Sequence, residues 1–134
     1  MQILIVDDNE RNIFALSAVL QAKGYTCVSA ASARLGLDIL AANKDIGVVL
    51  VDMMMPEMDG YEMISRIKAN YGKSVPVIAV TAQAMRGDRE RCLEAGADGY
   101  IPKPIDVSEL LSLLTMHNVN ANVEIERRAN RSRS

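Results

Sequence analysis

The chain has 134 residues, 49% of them apolar and 24% charged, close to the average for folded soluble domains, which excludes a wholly disordered polypeptide. A net charge of −2 argues against a broad basic surface for nucleic acid. Two cysteines and one histidine argue against a disulfide scaffold or a His-rich metal cluster. No apolar run approaches a membrane span, and residues 1–6 lack the charged region and long apolar stretch of a signal peptide, so membrane insertion is not expected and the expected location is the cytoplasm.

In chain order, residues 3–6 are continuous and branched, as in a strand buried on both faces. Residues 10–23 repeat with helical period, Ile13, Leu16 and Leu20 sharing a face, and Gly24 stops the helix. Residues 25–29 predict a second strand. Ser32 can cap a helix carrying Leu35, Leu37, Ile39 and Leu40. Residues 47–51 predict a third buried strand, followed by a loop with Pro56 and a helix that Asp59 can cap, running through Ile64 and Ile67. Residues 75–80 predict a fourth strand, and residues 86–94 a more polar helix ending at Gly96. Tyr100 and Ile101 belong to a short fifth strand. Asp106 and Glu109 resemble a capping box that opens a last helix through Leu110, Leu111, Leu113 and Leu114. His117, at its end, is expected to be exposed, and Cys27 and Cys92 to be reduced thiols.

Five strand–helix units in succession predict an α/β fold of one domain, with a five-stranded parallel sheet, right-handed crossovers and helices on both faces, a doubly wound arrangement. A closed barrel would need eight such units. This domain is expected to occupy residues 1–117. Residues 118–134 differ in character, with Arg127, Arg128, Arg131 and Arg133 dispersed among Asn and Ser. They are expected to form a polar Arg-rich tail or linker, the alternative being a further helix over residues 119–128.

In such a sheet, ligands bind beyond the carboxyl ends of the strands, so the residues following each strand carry the functional question. The first strand is followed by Asp7 and Asp8, the third by Asp52 and the fourth by Thr81, and Lys103 comes after the fifth. Neighbouring strands lie about 4.8 Å apart, so adjacency of the first and third brings three carboxylates together. Like charges at that range resist ionisation unless compensated, and hard oxygen donors select a divalent cation such as Mg²⁺ with coordination left open for a phosphate oxygen. Lys103 adds a positive charge and Thr81 a hydroxyl, a set suited to phosphoryl transfer with Asp52 as carboxylate nucleophile.

The segments 6–9, 52–60, 79–82 and 95–104 together resemble the receiver domain of two-component response regulators, over about residues 2–116. The resemblance implies a flavodoxin-like strand order 2-1-3-4-5. It implies direct ligation of Mg²⁺ by Asp8, Asp52 and the backbone carbonyl of Met54, with Asp7 acting through water and Mn²⁺ as a substitute ion. Asp52 would accept a phosphoryl group from a phosphohistidine of a histidine kinase or histidine phosphotransfer protein. Thr81 and Lys103 would bind it, and Ala82 would leave access to it. Tyr100 would turn inward as Thr81 moves, changing the surface of helix four, strand five and helix five for a downstream output protein or domain. The Lys103–Pro104 bond resembles the family's cis peptide. Met54 and Gln83, two residues after Asp52 and Thr81, would tune the phosphoryl lifetime by flanking an attacking water. Such a chain is a phosphoacceptor that promotes its own phosphorylation and dephosphorylation, not an enzyme acting on others. A homodimer is compatible with it and direct nucleic-acid contact is not expected. Asn9, Asn12 and residues 84–89 look more like receivers of hybrid kinases and stand-alone relay proteins. Competing readings are a metal-dependent phosphatase or phosphotransferase, which lacks an insertion for a substrate cap; a nucleotide or flavin binder, which lacks a Gly-rich or Ser/Thr-rich loop after the first strand; and a degenerate receiver used only for protein contact, which the complete site set argues against.

Overall fold

The computed structural model describes residues 1–55, 60–82, 87–117 and 119. The chain alternates β1 (Gln2–Val6), α1 (Glu10–Ala22), β2 (Thr26–Ala30), α2 (Ala33–Ala42), β3 (Ile46–Asp52), α3 (Gly60–Tyr71), a 3₁₀ turn, β4 (Val77–Thr81), α4 (Asp88–Ala95), β5 (Gly99–Pro102) and α5 (Val107–Met116). All strand pairs are parallel, in the order β2-β1-β3-β4-β5. The expected doubly wound α/β fold and strand order are both present.

Because side chains alternate across a strand, the unbroken apolar runs divide between two cores. Leu4, Val6, Val49, Val51, Val77 and Ala79 face α2, α3 and α4, meeting Leu40, Met63, Ile64, Ile67 and Cys92. Ile3, Ile5, Val48, Leu50, Ile78, Val80 and Ile101 face α1 and α5, meeting Leu20, Leu110 and Leu114. Ile13 and Leu16 pack on this second core, as the helical period predicts.

Local capping follows the sequence. The Ser32 hydroxyl accepts from Leu35 N at 3.1 Å, and Asp106 Oδ1 accepts from Glu109 N at 3.2 Å. Asn9 adds a cap for α1, its side-chain oxygen accepting from Arg11 N and Asn12 N at 2.9 and 3.2 Å. Gly96 closes α4 at φ +113°, a left-handed conformation that suits glycine. The cap expected from Asp59, the segment 84–86 and the tail beyond Val119 lie outside the described residues.

Several expectations are corrected. Of the apolar residues that α2 carries, Leu40 is buried and Leu37 and Ile39 pack against the first core, while Leu35 is exposed; the helix also buries Ala33 and Gly36. A Cβ on Gly36 would sit 2.9 Å from Val6 Cγ2, so the helix approaches β1 on its small residues. β4 begins at Val77 rather than at residue 75, since Pro76 has no N–H for a ladder and contributes only its carbonyl, which accepts from Val49 N. α4 begins at Asp88, after Gly87 at φ +89°. His117 is half-buried rather than exposed, with Nε2 enclosed. Just beyond it, Val119 N donates to Leu114 O at 2.8 Å and the Val119 side chain sinks into the second core.

Candidate functional site: an acidic cluster at the strand ends

The register aligns the ends of the strands. Val6 pairs with Val51, Asp52 with Val80, and Thr81 with Pro102. The residue closing or following each strand therefore reaches the same edge. Met53 N donates to Val80 O at 2.9 Å and Lys103 N to Thr81 O at 2.7 Å, tying the β3 and β5 exits to β4. The Lys103–Pro104 peptide is cis.

Asp7, Asp8 and Asp52 converge, each contributing a carboxylate oxygen within 4.8 Å of the others. Asp7 and Asp52 are buried and Asp8 is exposed. Lys103 Nζ lies 3.4 Å from Asp52 Oδ2 and 3.7 Å from Asp7 Oδ2. Backbone donors hold both buried carboxylates: Asn9 N donates to Asp7 Oδ1 at 2.8 Å and Met54 N to Asp52 Oδ1 at 3.0 Å. Thr81 is buried beside them at the end of β4, and Ala82 is exposed. The Met54 side chain is also exposed, while Gln83 lies outside the described residues. Inward of the carboxylates is a cleft of about 510 Å³ between α1 and the segment after β5, lined by Ile5, Leu16, Leu50, Val80 and Ile105.

Three carboxylates face one ammonium, and the electrostatics record the imbalance. The Asp7 carboxyl is held above its ordinary 3.8, first by burial and then by the Asp52 charge, with the Asn9 N–H and Lys103 opposing. The folded chain thus holds the Asp7 proton more tightly than the unfolded chain, so the stabilisation this proton gives is present in acid and lost as pH rises through the raised value. Asp7→Asn is expected to raise the melting temperature of the metal-free protein at neutral pH, with the advantage over wild type shrinking as the solution is acidified. Calorimetry in chelator across pH checks it, and a variant that melts lower at neutral pH contradicts it.

Sequence reasoning did not single out Asp88. Its carboxylate accepts from the Tyr61 hydroxyl through Oδ1 and from the Tyr100 hydroxyl through Oδ2, the latter at 3.1 Å. Arg91 lies 4.4 Å over the Tyr61 ring. An acidic residue in a polar helix looks like an ordinary solvated charge, and only the placement of α4 against both α3 and β5 reveals its partners.

The response regulator receiver domain pattern matches residues 3–115. The chain belongs to this family. As a receiver, it is similar to the sensor histidine kinase RcsC of Escherichia coli K12, at 39% identity over 117 residues, covering 87% of this chain and 12% of that protein. It also resembles the heme response regulator HssR of Staphylococcus epidermidis, at 35% identity over 127 residues, covering 92% of this chain and 55% of that protein. The chain thus spans only part of the length of these relatives. Among solved structures, a CheY-like receiver of Methanospirillum hungatei superimposes with a TM-score of 0.78 at 31% identity, covering 86% of this chain and 90% of that one. A receiver of Clostridium thermocellum gives 0.81 at 26% identity, covering 87% and 92%. Among the described residues, no helix is long and apolar enough to cross a membrane.

Proposed function

We propose that this receiver is a phosphoacceptor switch of a two-component relay, with Asp52 as the residue phosphorylated. The observation that carries this reading is the position of Asp52: buried at the end of the central strand, within 4.8 Å of Asp7 and Asp8 oxygens and 3.4 Å from Lys103 Nζ.

The donor set is wholly hard oxygen, which fits Mg²⁺, with Mn²⁺ as a substitute. Asp8, Asp52 and the Met54 carbonyl would hold the ion, and Asp7 would act through water. When bound, Mg²⁺ supplies neutralisation of the carboxylates and of the phosphoryl oxygens. In the reaction, an Asp52 oxygen attacks the phosphorus of a phosphohistidine on a histidine kinase or phosphotransfer protein. The O–P bond forms as the N–P bond breaks, its electron pair returns to the imidazole, and that ring takes a proton from solvent. Lys103 offsets charge on the transferring oxygens, the Thr81 hydroxyl binds one of them, and the small Ala82 leaves the approach open. Water later attacks the acyl phosphate and restores Asp52, so the domain acts on itself and turns over no other substrate. As Thr81 moves, Tyr100 turns inward and alters the α4–β5–α5 surface for an output partner. The relay is placed in the cytoplasm, without nucleic-acid contact, and self-association into a homodimer is compatible with it. The receiver is assigned to residues 1–117, and residues 118–134 to a tail or linker whose Val119 packs into the second core of the domain.

Incubation with Mg²⁺ and a small acyl phosphate, followed by intact mass, tests the reading. A single phosphate adduct that fails to form in chelator supports it, and no adduct with Mg²⁺ present overturns it.

Met54 donates its backbone N–H to the Asp52 carboxylate, but its exposed side chain is apolar and cannot orient an attacking water. With Gln83 it is assigned to tuning the phosphoryl lifetime. Met54→Asn is expected to shorten that lifetime by about tenfold, the order that one new hydrogen bond to the attacking group supplies. Timed loss of the adduct checks this, and an unchanged lifetime counts against it.

A further inference from the structure

α4 is held to the body of the domain in an unusual way. It has eight residues, Cys92 is its only fully buried side chain, and Leu93 is exposed. At its far end Ala95 packs on the first core and its carbonyl accepts from the Ser65 hydroxyl at 3.3 Å, while at its first turn the attachment is polar. There the two oxygens of Asp88 are taken separately, Oδ1 by the Tyr61 hydroxyl from α3 and Oδ2 by the Tyr100 hydroxyl from β5. Arg91, one turn on, lies 4.4 Å over the Tyr61 ring and reinforces the α3 side. The hydrogen bond to Asp88 pushes Tyr61 up to about 12, and Tyr100 is raised first by burial and then by its own bond to Asp88.

The geometry points to Asp88 as a latch: it fastens Tyr100 in the resting orientation through one carboxylate oxygen while keeping α4 tethered to α3 through the other. This rests on the proposed function, in which Tyr100 turns inward on phosphorylation. That turn removes the Tyr100 hydroxyl from Asp88 Oδ2 and leaves the Tyr61 bond to Oδ1 in place. Asp88 is then a positioning residue for the switch. It touches neither the phosphoryl group nor the acidic cluster, yet it sets how far the resting state outweighs the active one. Losing the latch removes a charge-assisted hydrogen bond made only in the resting state, so any ligand that binds the active state binds more tightly.

The test uses the full chain with Mg²⁺ and beryllofluoride, a stand-in for the phosphoryl group, titrated by calorimetry. Asp88→Ala is expected to raise the apparent affinity about tenfold, the order set by one hydrogen bond to a charged group. The same substitution made in a Tyr100→Phe background is expected to change it by less than about twofold, because the bond is already absent. A purely local role for Asp88 at the α4 N-terminus predicts equal effects in both backgrounds. In NMR, the Tyr100 ring signals of ligand-free Asp88→Ala are expected to move toward their position in the beryllofluoride-bound wild type. If Asp88→Ala does not fold, Asp88→Asn carries the same expectation for direction. Wild-type binding that Asp88→Ala leaves unchanged or weakens overturns the latch alone, as does an equal gain in both backgrounds. Failure of the wild type to bind beryllofluoride overturns the phosphoacceptor reading and the latch with it.

Discussion

Asp52→Ala is expected to abolish the phosphate adduct altogether, although two carboxylates remain within a few ångströms of the vacated position. The reason lies in what each neighbour can offer. Asp7 accepts the Asn9 N–H through one oxygen and faces Lys103 with the other, and burial raises its proton affinity, which disfavours the free anion a nucleophile must be. Asp8 is exposed, and the Lys103 ammonium is directed at Asp7 and Asp52, so charge developing on a phosphoryl group at Asp8 would lie in solvent and away from that cation. Asp52 alone is buried, central and paired at 3.4 Å with Lys103. Intact mass after incubation with Mg²⁺ and acyl phosphate is expected to show the unmodified chain only, a fall of more than about a hundredfold in rate. Because the substitution relieves repulsion among like charges, the variant is expected to remain folded in metal-free buffer, which separates lost chemistry from lost structure. An adduct forming at the wild-type rate would remove Asp52 from the role.

The acidic cluster and Lys103 are legible in the amino-acid order for a topological reason. In a parallel sheet every strand exits at the same edge, so a residue following a recognisable apolar run is placed in space by its position alone. Asp7, Asp52, Thr81 and Lys103 each follow or close such a run, and the register brings the exits of β1, β3, β4 and β5 side by side. Helix packing is less legible. Leu35 reads as a core residue by type, yet the α2 approach to Val6 runs through Gly36, whose role depends on an interhelix-to-sheet distance that no periodicity encodes. Asp88 is the clearest case. Its significance comes from Tyr61, 27 residues away, and Tyr100, 12 residues away, and neither separation has a sequence period. His117 reads as a polar helix end, but the fold encloses its Nε2, which no helical period announces.

The same charge balance that makes the cluster legible makes Lys103 its weakest point. Lys103→Met keeps an unbranched stem of four heavy atoms and removes the only ammonium that faces the buried pair among the described residues. Two effects follow. In metal-free buffer the buried Asp7 and Asp52 lose their counterion, so the variant is expected to melt below wild type, opposite in direction to Asp7→Asn. Phosphorylation by acyl phosphate with Mg²⁺ is expected to slow by about 10²–10³, the range for removing one preorganised charge-stabilising donor from a reacting oxyanion. Combining Asp7→Asn with Lys103→Met is expected to restore much of the stability, because one carboxylate fewer needs compensation, and none of the rate, because no cation has been returned. Melting curves in chelator and initial rates of adduct formation therefore respond separately to the two roles of Lys103. If the double variant recovers both together, the lysine acts through the fold and not on the transferring group.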